Sequence, residues 1–407
     1  MKIVLNNAKL AAMTTIDRAQ RAAATTGSAA AHAYPEAGAV ATDAAHPGAA
    51  SKAVSRRRAN QPSRRRTRWL AVGIPVALVA VTLAACGIGP VGTSPGEVVA
   101  ALLDPLREPL GRLGVSVPEL PAATVSLVWG VRLPRVALAL LVGAGLAAAG
   151  AVMQAVFRNP LAEPGVTGVS SGAAVGAVAV IVSGAAVAAP WLLPLAAFVG
   201  ALAAVAVVQL VAGMRGGAGA TLLLVGIAVN AFLGAVIAAV IANAPDSDDA
   251  QQAMFWLNGD LTSTNWGDVG LAVAPIVVGT LLLATAVPEL DLFALGDDHA
   301  ASSGVRTGRA RQSLLAIAAL VTAAGVAVTG VISFVGLVVP HLVRLVLGPD
   351  HRTLLPVSMG FGAIFLVLAD LIARNLFDPV VLQTGTVTAF IGAPVLLVLV
   401  ARRARAA

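Results

Sequence analysis

Apolar stretches of about one membrane thickness recur along this chain, and they constrain its fold more than any other feature. They cover residues 69–89, 136–157, 168–187, 191–213, 219–242, 267–287, 311–331, 334–347, 354–373 and 387–401. Crossing about 30 Å of hydrocarbon takes roughly 17–25 helical residues. A single helix satisfies its own backbone hydrogen bonds in lipid, which an open strand does not. The pattern therefore predicts an all-α polytopic membrane protein with ten transmembrane helices. The run 334–347 is short and holds Pro340, His341 and Arg344, so it reads equally as a re-entrant piece shielded by its neighbours.

Charge sidedness favours ten. With the N-terminus inside, every Lys and Arg except Arg107, Arg112, Arg132, Arg135 and Arg374 falls on the cytoplasmic side. The outer loop 243–266 holds Asp246, Asp248, Asp249 and Asp260 and no basic residue. Removing the short run would put Arg402, Arg403 and Arg405 outside. Both termini are thus expected in the cytoplasm, and the chain in the cytoplasmic (inner or plasma) membrane as a multi-pass protein.

Composition excludes the main alternatives. The 407 residues are 58% apolar and 12% charged, against roughly 45–50% and about 25% in soluble domains. So little polar surface argues against a soluble enzyme, and so much apolar sequence against disorder along most of the chain. Residues 1–68 differ: they are rich in Ala, Thr and Ser and end in two arginine clusters (Arg56, Arg57, Arg58 and Arg64, Arg65, Arg66, Arg68). They read as a disordered basic cytoplasmic tail ahead of a transmembrane domain over 69–407. The tail carries the surplus positive charge, which is better explained by membrane topology than by a nucleic-acid partner.

Chemistry-bearing residues are few. One cysteine, Cys86, cannot form an internal disulfide. The stretch Leu83-Ala84-Ala85-Cys86 follows an apolar run as a lipoprotein signal would, against the simpler reading of a buried cysteine in a span. No histidine lies in H-E-x-x-H, so no metal site is expected. The lysines are Lys2, Lys9 and Lys52, none in a phosphate-binding loop of the G-x-x-x-x-G-K-[ST] type. Any ATP must therefore be held by another subunit, and the chain is expected to bind no cofactor and catalyse no reaction.

Four stretches stand out. Gly168, Gly172 and Gly176 share a helical face at the spacing that lets helices approach closely in lipid, within the subunit or between subunits. Arg132-Leu133-Pro134-Arg135 places two arginines at an outer helix mouth, suited to a partner's carboxylates or to lipid headgroups. Arg158-Asn159-Pro160-Leu161-Ala162-Glu163-Pro164-Gly165 is a compact inner turn. Residues 288–311 are long for a connection, with apolar residues spaced for short amphipathic helices that suit either a partner or the membrane surface.

Together these stretches resemble the FecCD family, the permeases of type II ABC importers for iron–siderophore, haem and vitamin B12. The resemblance also includes Phe255-Trp256-Leu257-Asn258-Gly259, Ser333-Phe334-Val335-Gly336, Asp350-His351-Arg352 and Ala369-Asp370, and covers nearly all of 69–407. It implies a vitamin B12-importer-like permease fold and a second permease subunit, identical or paralogous. It also implies a cytoplasmic ABC ATPase dimer using ATP and Mg2+, and an external substrate-binding protein. By the same resemblance, Arg132, Arg135 and Arg374 match arginines that dock the binding protein, and Asn159 and Leu161 match the cytoplasmic gate. Leu292, Phe293, Ala294, Leu295, Gly296 and Val305 fall in the segment that couples to the ATPase. Ferric siderophores are the expected cargo, with haem or vitamin B12 as alternatives.

From another class, an ion-coupled secondary transporter would need intramembrane carboxylates, and Asp370 is the sole candidate within a span. One departure from the family pattern is local. Where the family usually has Glu-Leu-Pro-x-Gly, this chain has Val381-Leu382-Gln383-Thr384-Gly385.

Overall fold

The computed structural model describes residues 64–404, apart from 90, 215–218 and 378–379. The tail up to residue 63 lies outside the described residues. Those described form helices and turns, with no strand beyond the single bridge Phe377–Val380.

Among the described residues, ten apolar helices organise the fold. They are α1 (Arg64–Gly87), α2 (Leu133–Val156), α3 (Val169–Val182), α4 (Leu192–Gly213) and α5 (Gly219–Ala242). After them come α6 (Trp266–Thr285), α7 (Thr307–Thr329), α8 (Val335–Leu347), α9 (His351–Asn375) and α10 (Thr384–Ala404). Seven are long and apolar enough to cross a membrane, whereas the apolar parts of α3, α8 and α10 are shorter. The expected run 168–187 stops at Val182, because Gly184 turns the backbone to φ +68° and residues Ala185–Ala188 form a separate turn. At 1.5 Å per residue, the 14 residues of α3 span about 21 Å. Helix α8 starts only after Phe334, whose φ of +69° breaks it from α7.

Helix α2 is the hub. It is buried almost throughout and packs against α6, α7, α8 and α9. Apolar burial gives helices no drive to associate within lipid, so close backbone contact has to supply it. Sequence supplies small residues at the crossings. A side chain on Gly143 would overlap the Gly362 carbonyl of α9, and one on Gly150 the Gly336 carbonyl of α8. A second pair, α3 and α4, meets through Gly172 and Gly176 against Gly200 and Ala196. Helix α5 differs: only Leu222 and Gly226 are buried, while Leu224, Ile227 and Phe232 stay exposed.

The connections carry their own caps. Ser94 and Glu97 form a reciprocal capping box on helix Pro95–Leu103, and Asp246 caps helix Ser247–Leu257. Trp129 donates its indole N–H to the Ala101 carbonyl and Trp266 donates to that of Trp129, both at 2.8 Å. The long connection between α6 and α7 folds as two short helices, Val287–Leu295 and Asp297–Ser302.

Candidate functional site

The R-L-P-R stretch does not form a loop at the helix mouth. A helix runs from Ala122 through a π-helical turn, Leu127–Arg132, directly into α2. Pro134 lacks the N–H that would carry the ladder across this junction, and the turn just before it is the π-helical one. Both arginines therefore point into the protein from helical positions, and both are buried.

Their partners are internal. Arg135 donates Nε to both oxygens of Asp370 at 3.0 Å and Nη2 to Oδ1 at 2.8 Å. This is a bidentate, charge-assisted pair joining α2 to α9. The same carboxylate accepts the Thr384 hydroxyl of α10 at 3.1 Å and lies 3.9 Å from Nε of Arg374. Arg374 also donates to the Ala85 carbonyl at the end of α1. Arg132 donates to the Cys86 carbonyl at 2.5 Å, the Thr93 hydroxyl at 2.7 Å and the Val91 carbonyl. The three arginines thus tie α1, α2, α9 and α10 together at one end of the bundle. Cys86, wholly buried in α1, belongs to this cluster.

At the other end of α2, Arg158 takes a left-handed backbone (φ +48°) and opens the turn into α3. The Asn159 side chain accepts the Leu161 N–H at 3.0 Å, a local turn that leaves Leu161 exposed. Glu163, two residues on, meets the Phe334 backbone N–H. Burial pushes its carboxyl above the usual carboxylate range, against that N–H, which favours the charged form.

The expected coupling residues divide by exposure. Phe293 and Gly296 are buried, Leu292 and Val305 are half-buried, and Ala294 and Leu295 face outward. Three contacts hold the segment. The Arg311 guanidinium lies 5.6 Å above the Phe293 ring, and its Nη2 meets Asp297 at 2.7 Å. Asp291 accepts the backbone N–H of His351 at 3.0 Å and the ring Nδ1 at 2.7 Å. No cluster of metal-ligating residues occurs among the described residues.

Of the three glycines, Gly172 and Gly176 sit at the α3–α4 contact within the subunit. Gly168 instead ends the preceding turn with φ +89°. Sequence reasoning missed Thr384, Asp291 and Arg311. Thr384 lay inside the departure from the family pattern, which was a signal in itself.

The family model described as "FecCD transport family" matches residues 66–402. The chain belongs to the FecCD family. Among its relatives, the cobalamin import permease BtuC of Halobacterium salinarum is 42% identical over 84% of this chain and 98% of its own. The hemin transport permease HmuU of Yersinia pestis is 40% identical, over 68% and 84%. The Fe(3+)-citrate import permease YfmE of Bacillus subtilis is 36% identical, over 82% and 94%. A solved structure described as an inward-facing metal-chelate type ABC transporter matches with TM-score 0.70 and 29% identity, covering 81% of this chain and 98% of that one. This FecCD protein is accordingly a permease subunit of an ABC importer, resident in the cytoplasmic membrane, and its relatives are permeases rather than enzymes.

Proposed function

We propose that this chain forms half of a pathway carrying ferric siderophores inward, driven by ATP that a partner ATPase dimer binds with Mg2+. The observation that carries the ATP-driven reading is the state of Asp370. It is the only carboxylate in the ten apolar helices outside a capping first turn, and Arg135 neutralises it at 2.8 Å. A carboxylate committed to two guanidinium groups and a hydroxyl is poorly placed to take up and release a coupling ion. An apolar wall without fixed charges suits a conduit that releases a large cargo.

In this reading all ten apolar helices span, with both termini in the cytoplasm. The exposed apolar face of α5 supports pairing with a second permease subunit across the pathway. Arg132, Arg135 and Arg374 dock the external binding protein, and Asn159 and Leu161 gate the inner end. The segment 292–305 meets the ATPase, supported by the outward Ala294 and Leu295. Cobalamin is the second reading for cargo, favoured by the 42% identity to a cobalamin permease over 98% of that protein.

The test is uptake of labelled ferric siderophore, haem and cobalamin by cells with and without this chain, followed by proteoliposomes of the complex. Siderophore uptake that needs ATP and withstands ionophores is expected. Uptake of cobalamin alone would replace the cargo, and uptake lost with the ion gradient would overturn the mechanism.

A further inference from the structure

Two polar contacts, one part-buried and one buried, lie at opposite ends of α9. At its N-terminus Asp291, on helix Val287–Leu295, holds His351 by ring and backbone. Toward its C-terminus Asp370 holds Arg135 of α2 and approaches Arg374. At 1.5 Å per residue the two contacts stand about 28 Å apart along the helix. Between them α9 lies against α2 with the Gly143 and Gly362 backbones touching, so neither helix can slide without breaking that fit. Helix Val287–Leu295 also packs on the inner end of α2, with Leu290 and Phe293 beside Val152, Met153 and Val156. The α2–α9 pair is therefore one body that reaches from the inner connection to the outer arginines.

The inner grip on that body is specific. Pro356 lacks the N–H that would bind the Arg352 carbonyl, so the first turn of α9 is joined less firmly to the rest of the helix. That turn is held by two carboxylates at a helix N-terminus, where the backbone dipole favours negative charge: its own N-cap Asp350, which accepts the Arg352 N–H, and Asp291, which alone of the two ties it to helix Val287–Leu295. The His351 ring is 1% exposed, and its Nε2 makes no hydrogen bond among the described residues. Nδ1–H···Asp291 is thus the ring's one polar anchor.

We propose that Asp291 and His351 are positioning residues that convert movement of the ATPase-facing segment into movement of the α2–α9 pair, and so of the arginine cluster at its far end. The proposal rests on the reading that 292–305 meets the ATPase and the arginines meet the binding protein.

The experiment uses the reconstituted full complex and measures ATP hydrolysis against binding-protein concentration for wild type, His351→Phe, Asp291→Ala and His351→Asn. The phenylalanine and alanine variants should lose maximal stimulation by about tenfold, within the roughly 5–150-fold range of site-to-site coupling. The half-maximal concentration and the amount of ATPase co-purifying should stay at wild-type values. His351→Asn, whose amide N–H falls where Nδ1–H does, should recover most of the stimulation. Should His351→Phe fail to fold, Asp291→Ala and His351→Asn decide the matter. Full stimulation in Asp291→Ala, loss of the ATPase from the complex, or an asparagine variant no better than Asp291→Ala would overturn the assignment. A wild-type complex that no binding protein stimulates would instead bring down the functional reading on which it rests.

Discussion

Removing Asp370 should be among the costliest single changes in this protein. The carboxylate is 1% exposed and Arg135 is 7% exposed. In Asp370→Ala, three hydrogen bonds from Arg135 and one from Thr384 are lost. The Arg135 guanidinium stays buried without a counter-charge. Breaking a buried pair from one side costs about 3–5 kcal/mol, because the remaining charge is uncompensated. Arg135→Leu should cost less, since Asp370 keeps the Thr384 hydroxyl and the nearby Arg374. Cys86 makes the measurement convenient. It is the only cysteine in the chain and is 0% exposed, so a fluorogenic maleimide reports its exposure as detergent-solubilised protein unfolds. Asp370→Ala should shift the unfolding midpoint well beyond Arg135→Leu. A loss under about 1 kcal/mol, the range of an exposed ion pair, or the reverse order of the two variants, would refute the reasoning.

Two further outcomes follow from packing and burial. Gly172→Leu drives a side chain into the Gly200 carbonyl and should destabilise by about 1–3 kcal/mol or more in the same thiol-dye melt. Gly73→Leu, with open space around it, should stay near wild type; equal effects would show that the α3–α4 contact is slack. The raised pKa of Glu163 means that the folded protein holds that proton more tightly than the unfolded chain. Its contribution is therefore full below the ordinary carboxylate pKa and fades as pH rises through the folded value. Glu163→Gln, which cannot ionise, should flatten the fall in unfolding midpoint as pH rises above the ordinary carboxylate range, and identical slopes would count against burial of that carboxyl.

Much of this architecture is written in local sequence, and the parts that are not share a cause. Uninterrupted apolar runs mark α4, α5 and α6 almost to the residue, because length and hydropathy alone decide whether a helix suits lipid. Helix α3 was overestimated because Gly184 reads as one more small apolar residue until its φ of +68° is seen. The arginines of R-L-P-R were visible as charges three apart, but Asp370 lies 235 residues from Arg135 in sequence. Spacing cannot show that pairing, and without it a guanidinium at a helix mouth reads as exposed. Asp291 was missed for the same reason, since its partner is 60 residues away. Val381 and Gln383 stand where the family has its acid and proline, whereas Thr384 beside them supplies Asp370 with another donor in the fold. Local pattern thus locates helices, while the site is assembled by long-range polar pairs that no period encodes.

The burial of Arg132, Arg135 and Arg374 bears on how they could dock a binding protein. A guanidinium already bound to Asp370 must leave that carboxylate before meeting another, so the strength of the internal pair subtracts from docking. Asp370→Asn tests this, because the amide keeps the shape and one acceptor but removes the charge that holds both arginines. If the arginines leave the cluster to dock, weakening their internal hold should raise affinity for the binding protein by about tenfold, or 1.4 kcal/mol, even as the unfolding midpoint falls. If they serve only to join α1, α2, α9 and α10, the same variant should lower affinity or leave it unchanged. Titrating labelled binding protein against the two permeases in nanodiscs separates the cases, because the two roles move affinity in opposite directions while moving stability in the same one.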